Sequence, residues 1–268
     1  MSGARGRPGG TSGRSPRALV PFLLLMVLAL PAWAGLPETV ARVKPSILGI
    51  GTVQPTRRPA GQFNGTGFVV GNGRYAVTNA HVIPSSLDPE RKEFLAVLTG
   101  AGEREGVREA TVVATGPEHD VALLSFKGTA LPALRLGDSD RVREGERYAF
   151  TGFPLGIVLG MRPVTHQGIV SAVTPIATPQ ITARAMDPKR AHPLSPPYEG
   201  FQLDATAYPG NSGSPLYHPD TGVVIGVINK VFVKESKENL LKEPSGITYA
   251  IPAKFAEALL REAGLAGE

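Results

Sequence analysis

The chain has 268 residues, which is enough for one large or two small globular domains. Hydrophobic residues make up 42% and charged residues 19%, which excludes a wholly disordered chain and a multi-span membrane protein. Because cysteine is absent, disulfides, thiolate metal sites and a cysteine nucleophile are excluded as well. The 32 glycines and 25 prolines follow no period, and they predict many turns between short strands.

The positive charge of the chain is concentrated at its N-terminus. The formal net charge is +5, and four arginines lie within the first 34 residues with no acidic residue among them: Arg5, Arg7, Arg14 and Arg17. Without those four charges the net charge is +1, and no cluster of Lys and Arg is longer than a pair. Since phosphate binding depends on such clusters, we expect no nucleic-acid partner.

Residues 1–34 have the pattern of a secretory signal peptide. A basic start precedes 12 apolar residues, Leu19–Leu30, and the small-residue pattern Ala32-Trp33-Ala34. The apolar run is shorter than the roughly 20 residues that a membrane-spanning helix needs. We predict cleavage after Ala34, with an uncleaved anchor as the alternative. Either way the body is expected to be exported, as a periplasmic or secreted protein, and cleavage would leave no stable membrane span.

From residue 35 onward the sequence predicts two β-rich halves and a final helix. Twelve short apolar or alternating runs are separated by turn residues. They are Ser46–Val53, Gly67–Val70, Tyr75–Thr78, Phe94–Leu98, Ala110–Ala114, Val121–Phe126, Arg147–Phe153, Gly156–Leu159, Gly168–Val173, Phe201–Ala205, Val223–Val233 and Ile247–Ile251. Six strands in each half predict an all-β fold of two closed barrels, over about residues 46–127 and 141–251.

Two further segments complete the predicted organisation. Thr174–Glu199 contains six prolines, and a strand cannot continue through so many missing N–H donors, so a long surface loop is expected. Pro252–Ala263 predicts a closing helix, because proline suits the first helical turn and Phe255 and Leu259 lie four residues apart on one face.

Three polar residues at strand ends predict nucleophilic catalysis. His81 follows one apolar run, Asp120 precedes another 39 residues later, and Ser212 lies in a glycine-flanked turn 92 residues further on. A serine hydroxyl becomes a nucleophile when a neutral imidazole accepts its proton, and a carboxylate can hold that imidazole in one tautomer. We therefore predict Ser212 as nucleophile, His81 as general base and Asp120 as the residue that orients it.

The turn around Ser212 also predicts an oxyanion hole. Gly210 and Gly213 allow the backbone to turn sharply there. In such a turn the N–H groups of Gly210 and Ser212 can converge on one point, where the negative oxygen of a tetrahedral intermediate would lie.

Four motifs make the chain resemble a chymotrypsin-fold serine protease of the HtrA/Deg group. They are TNAHVI at 78–83, HDVALL at 119–124, GNSGSP at 210–215 and TYAIPAKF at 248–255. The resemblance implies two six-stranded antiparallel barrels with the active site between them, a closing helix, polypeptide substrates and no cofactor. The oligomeric state stays open, with a homo-oligomer as one alternative.

The chain departs from the HtrA pattern near the predicted nucleophile. Tyr208 and Pro209 stand where other residues are usual, and Ser214 replaces a glycine. Because Pro209 could hold the oxyanion turn in an inactive shape, a protease-fold module that binds or chaperones polypeptides is the alternative function. No sequence follows the helix for a PDZ domain, so a protease without one is expected. The segment from Gly35 resembles the HtrA lead-in and predicts activity without a newly cut N-terminus.

The resemblance also predicts a specificity pocket. It puts Thr206, six residues before the nucleophile, at the pocket floor, and Asn229, Lys230 and Val231 on the strand that pairs with substrate. Val231 and Ile247 would face each other across the pocket. An uncharged floor disfavours Lys and Arg, and two β-branched walls exclude large aromatics, so we predict cleavage after small aliphatic residues.

Other kinds of chemistry fit the sequence less well. A lipase-type elbow requires glycine where Ser214 stands, with the acid and histidine following the serine. The stretch at 65–67 lacks the third glycine of a dinucleotide fingerprint and is interpreted as hairpin backbone. Asp204 is interpreted as a structural strand-end residue.

The remaining histidines predict no metal site, because none has the spacing of a ligand pair. We expect His119 to be exposed, and His166, His192 and His218 to lie in loops.

Overall fold

Two closed six-stranded antiparallel barrels make up the body of the protein. The structure is a computed structural model and describes Gly3 and residues 35–99, 106–156, 161–176, 198–229 and 246–265. The predicted signal peptide, apart from Gly3, lies outside the described residues. None of the helices within these ranges has the length and apolarity needed to cross a membrane.

The N-terminal barrel has the strand order β1-β2-β3-β6-β5-β4 and closes through the β1–β4 pair. Its strands are β1 Ile47–Val53, β2 Gly61–Val70, β3 Tyr75–Thr78, β4 Phe94–Thr99, β5 Gly106–Gly116 and β6 Val121–Phe126. Its core includes the fully buried Leu48, Ile50, Val97 and Leu124. Burying one such aliphatic side chain stabilises the fold by about 1.5–3 kcal/mol.

The C-terminal barrel has the strand order β10-β11-β12-β9-β8-β7 and closes through the β7–β10 pair. Its strands are β7 Arg147–Gly152, β8 Val164–Ile176, β9 Tyr198–Asp204, β10 Pro215–Tyr217, β11 Val224–Asn229 and β12 Ile247–Pro252. Phe150, Leu203, Leu216 and Ile228 lie in its core. The predicted all-β fold class of two six-stranded barrels is therefore confirmed.

Two helices pack where the barrels meet. Helix α1, Leu36–Val43, was not predicted, and its Thr39 hydroxyl donates to the carbonyl of Asp220 at 3.0 Å. Helix α2, Ala253–Glu262, is the predicted closing helix, shortened by one residue at each end. A shared core cluster contains Val43 of α1, Leu259 of α2 and strand residues of both barrels. Both helices thus help to hold the barrels together.

One predicted strand, Gly156–Leu159, falls mostly on residues that are not described, and one strand was missed. Gly156 lies in a turn at φ +49°, so a strand does not begin there, and residues 157–160 lie outside the described part of the chain. The sixth strand of the second barrel is β10, which begins at Pro215, the last residue of the GNSGSP motif.

The predicted proline-rich loop is shorter at both ends than expected. Strand β8 continues to Ile176, and Pro175 pairs with Glu199 of β9. Proline is tolerated there because β7 pairs with β8 only as far as Ile169, so this part of β8 has β9 as its sheet neighbour. The described part of β11 is likewise shorter than the predicted run, and residues 177–197 and 230–245 are outside the described ranges.

Candidate active site

The His81 and Asp120 side chains meet at the end of two paired strands. Strands β3 and β6 are neighbours, with Thr78 opposite Ala122, so the residues beyond β3 and before β6 come together. His81 lies in a 3₁₀ turn after β3, and its Nδ1 is 2.6 Å from Asp120 Oδ2. The backbone N–H of His81 also donates to Asp120 Oδ1 at 2.8 Å. Asp120 therefore orients His81 through both carboxylate oxygens.

The backbone of Asp120 is held as firmly as its side chain. Its φ is +54°, a left-handed conformation that Asp adopts more readily than most residues. The Asn79 side-chain amide and the Ala80 N–H both donate to the Asp120 carbonyl, at 3.0 and 3.2 Å. The Asp120 side chain is only 6% exposed, whereas that of His81 is 37% exposed. The carboxylate is thus buried and fixed, and the imidazole faces the solvent-accessible side.

Asn229 of the second barrel also contacts Asp120, and the sequence does not predict this contact. Its Nδ2 donates to Asp120 Oδ2 at 2.9 Å, and the side chain is 1% exposed. The family resemblance implies for Asn229 only a place on the strand that pairs with substrate. Asp120 Oδ2 therefore accepts hydrogen bonds from both barrels. These bonds offset part of the desolvation free energy of the buried carboxylate.

Ser212 lies in the turn between β9 and β10, against strand β2. Its carbonyl accepts from the Thr66 N–H at 2.8 Å. A Cβ on Gly65 would lie 2.7 Å from Val82, which follows His81, and 3.0 Å from the Ser212 carbonyl. Close packing at Gly65 therefore places the Ser212 turn beside the turn that carries His81.

Gly213 allows the Ser212 turn to reach β2. Its φ is +88°, and a Cβ there would lie 1.9 Å from the Thr66 carbonyl oxygen. No other residue fits this position without moving β2 or the turn.

In the predicted oxyanion turn, the N–H of Gly210 points away from the loop that carries Leu155. The Pro209 carbonyl accepts from the Leu155 N–H at 2.7 Å. Because C=O and N–H point in opposite directions across a trans peptide, the Gly210 N–H faces the other way. Among the described residues neither this N–H nor that of Ser212 has an acceptor. Pro209 therefore does not turn its carbonyl into the oxyanion position, which argues against the inactive shape considered above.

The residues predicted for substrate binding are partly described. Thr206 is half-buried and Ile247 is 48% exposed. The Thr248 hydroxyl donates to the Ala205 carbonyl at 2.6 Å, so the segment before Thr206 lies beside the start of β12. Lys230 and Val231 lie outside the described residues.

Two expectations for the histidines are wrong. His119 is 28% exposed and stacks on Phe255 with ring centroids 3.7 Å apart, so it is half-buried. His166 lies within β8 and stacks on Phe150 at 4.9 Å, and its burial lowers its pKa. His218 lies in the turn after β10, where its Nδ1 accepts from the Asp220 N–H at 3.3 Å. His192 lies outside the described residues. Asp204 ends β9, as interpreted from the sequence.

The fold and the site geometry define a two-barrel peptidase domain. The chain belongs to the trypsin-like peptidase domain family, whose model matches residues 65–227. The matched segment contains the three predicted catalytic positions and the oxyanion turn.

Curated relatives and solved structures agree with this family. Proteins named probable periplasmic serine endoprotease DegP-like are 30% identical over 200 residues in Pseudomonas fulva (strain 12-X) and 31% identical over 192 residues in Halomonas elongata. The alignments cover 75% and 72% of this chain but 34% and 33% of the relatives. The chain thus spans about a third of their length.

Structures of the HtrA-type protease AlgW are similar over most of the chain. The complex with a tripeptide has a TM-score of 0.61 at 25% identity, covering 85% of this chain and 62% of AlgW. The complex with a decapeptide has a TM-score of 0.60 at 25% identity, covering 84% and 66%.

Proposed function

We propose that the chain is an exported serine endopeptidase that hydrolyses peptide bonds through His81, Asp120 and Ser212. The observation that carries this proposal is the double hydrogen bond from His81 to Asp120, combined with the N–H groups of Gly210 and Ser212, which have no acceptor within the described part of the chain. The DegP-like relatives and the HtrA-type fold support the same reaction.

The proposed reaction has two steps. Ser212 Oγ attacks the carbonyl carbon of the scissile bond while His81 takes the hydroxyl proton, and the N–H groups of Gly210 and Ser212 bind the oxyanion. The C–N bond then breaks, His81 gives its proton to the leaving amine, and an ester remains on Ser212. Water attacks that ester, its proton passes to His81, and the acid product leaves as Ser212 recovers its hydrogen. The Asp120 carboxylate stabilises the imidazolium in both steps.

A fluorophosphonate probe tests this proposal, because it labels only an activated serine. We expect the chain beginning at Gly35 to be labelled stoichiometrically on Ser212 and to cleave casein without further trimming. The heat-unfolded chain should not react, since the activation depends on folded geometry. Labelling that requires prior cleavage near Ser46 would contradict activity without a newly cut N-terminus. An intact, folded chain that neither reacts nor cleaves after such trimming would favour the binding or chaperone-like alternative.

Export is part of the proposal. It rests on the signal-like residues 1–34 and on the periplasmic assignment in the names of the relatives.

The proposed substrates are unfolded or extended polypeptide segments, cut after small aliphatic residues. Thr206 has no charge, so a Lys or Arg side chain in its pocket would be buried without a counter-ion, at a cost of several kcal/mol. Ile247 is exposed at the start of β12, beside the segment that leads to Thr206. Its branched side chain would narrow the pocket. One methylene is worth about 1–3 kcal/mol, so the preference among small residues should be broad.

Profiling a peptide library by mass spectrometry tests this specificity. We expect cuts after Ala, Val, Thr and Ile, with Phe and Tyr at least 10-fold less frequent. Ile247→Ala should shift the profile toward larger apolar residues, because it widens the pocket. A dominant preference for Lys or Arg would reject this pocket assignment, and an unchanged profile in Ile247→Ala would remove Ile247 from it.

A further inference from the structure

Three aromatic rings form a cluster directly beside Asp120. The His119 imidazole stacks on Phe255 of α2, with centroids 3.7 Å apart and ring planes at 17°. Both rings meet Tyr198 of β9 edge to face at 5.1 Å. We call His119, Tyr198 and Phe255 the ring cluster. It joins the turn between β5 and β6 of the first barrel to the second barrel and the closing helix.

The ring cluster holds the turn from which Asp120 projects. Backbone bonds from the His119 N–H to the Gly116 carbonyl, and from the Asp120 N–H to the Pro117 carbonyl, form this turn at 3.1 and 3.3 Å. On the far side, the Asp120 carbonyl accepts from Asn79 and Ala80. The turn is thus held on one side by its own barrel and on the other by the His119 ring. Rotation of the turn would re-aim the carboxylate that His81 depends on.

His119 takes part in the cluster mainly as a flat ring. Burial is the largest influence on its pKa and lowers it, which favours the neutral imidazole. The charged groups that face it are Glu118, whose Oε1 is 3.3 Å from Nδ1, and Lys254. Lys254 lies 5.6 Å from the centroid of Phe255 and pairs with Asp140 at 2.7 Å. A stacked aromatic pair is stabilising beyond its buried area, so the contact biases the orientation of this short turn.

We propose that His119 is a positioning residue for the reaction: its ring, clamped between Phe255 and Tyr198, sets the direction of the Asp120 carboxylate. This inference rests on the proposed function, because it assigns His119 a role through Asp120 and His81. The imidazole nitrogens are not required, only the planar aromatic surface. We therefore expect His119→Phe to keep the positioning role and His119→Ala to lose it.

Kinetics of His119→Ala and His119→Phe test the positioning role. A small misplacement of a catalytic group can cost up to about 100-fold in rate, so His119→Ala should lower kcat by about 10- to 100-fold with KM within about twofold. His119→Phe should keep at least half of the wild-type kcat. His218→Ala is the matched control, because His218 meets Tyr148 edge to face at 6.1 Å and contacts neither Asp120 nor His81. It should leave both parameters unchanged.

A second measurement does not depend on turnover. In the Ser212→Ala background, the proton between His81 Nδ1 and Asp120 Oδ2 should give a low-field NMR resonance, because it lies in a 2.6 Å hydrogen bond. We expect the resonance to broaden or vanish in His119→Ala and to persist in His119→Phe. A sharp, unshifted resonance in folded His119→Ala would overturn the inference. Equal impairment of both variants would also overturn it. Absence of Ser212-dependent hydrolysis in the wild type would instead contradict the proposed function.

Discussion

Replacing Ser212 with alanine is expected to lower kcat for a peptide substrate by about 10⁴- to 10⁶-fold, because the acyl-enzyme can no longer form. Any residual hydrolysis would come from direct attack by water on a substrate carbonyl whose oxygen is bound by the oxyanion N–H groups. The fold should not change, since alanine fits the space of serine and the Ser212 main-chain bond to Thr66 remains. Steady-state hydrolysis and thermal melting of the same preparation measure both effects.

Ser171→Ala provides the matched control for this substitution. Ser171 is exposed on β8 and donates its hydroxyl to the Gln202 carbonyl at 3.1 Å, a bond that involves no residue of the candidate site. It should retain wild-type kcat. Undiminished cleavage by Ser212→Ala would show that Ser212 is not the nucleophile. If Ser212→Ala melted well below the wild type, the loss of rate would be due to misfolding instead.

Replacing Asp120 with asparagine is expected to lower kcat by about 10⁴-fold while the chain stays folded. Both carboxylate oxygens accept: Oδ1 from the His81 N–H, and Oδ2 from His81 Nδ1 and Asn229 Nδ2. An amide NH₂ in either position would face a donor. Placed at Oδ2, it would also donate to His81 Nδ1 and select the tautomer that cannot accept the serine proton. Kinetics at several pH values, together with melting curves, measure the outcome.

Asp138→Asn is the control for the same chemical change. Asp138 caps a 3₁₀ turn by accepting from the Asp140 N–H at 3.0 Å, and asparagine can accept that bond equally well. Its kcat should equal that of the wild type. If Asp120→Asn lost less than about 10-fold, Asp120 would not be the residue that orients His81. Because His81, Asp120 and Ser212 act together, the double variant Asp120→Asn, Ser212→Ala should be no slower than Ser212→Ala alone.

Much of the fold was predictable because the strands carry local signals. Both ends of β3 and β6 were predicted correctly, since their apolar runs end in clear turn residues. Strand β10 was missed because it has only three residues, begins with proline, and is a strand through its pairing with β7 and β11. Helix α1 was missed because eight residues are too few for a clear helical period.

The parts of the site that could not be predicted are contacts between distant segments. Asn229 is 109 residues from Asp120, and every residue of β11 is buried, so alternation does not tell which way the Asn229 side chain points. His119 stands between two acidic residues in a turn, a pattern typical of the surface. Its partner Phe255 is identified only once α2 packs against the turn.

The hydrogen bonds that cross between the barrels tie the proposed activity to complete folding. Asn229 reaches Asp120 across 109 residues, and the Thr66 hydroxyl reaches the Gly210 carbonyl across 144 residues at 2.6 Å. Such long-range contacts form late in folding, because the intervening chain must be ordered first. A chain with only one folded barrel has an incomplete site. The proposed hydrolysis therefore requires both barrels to be docked, and we expect a nascent or partly unfolded chain to be inactive.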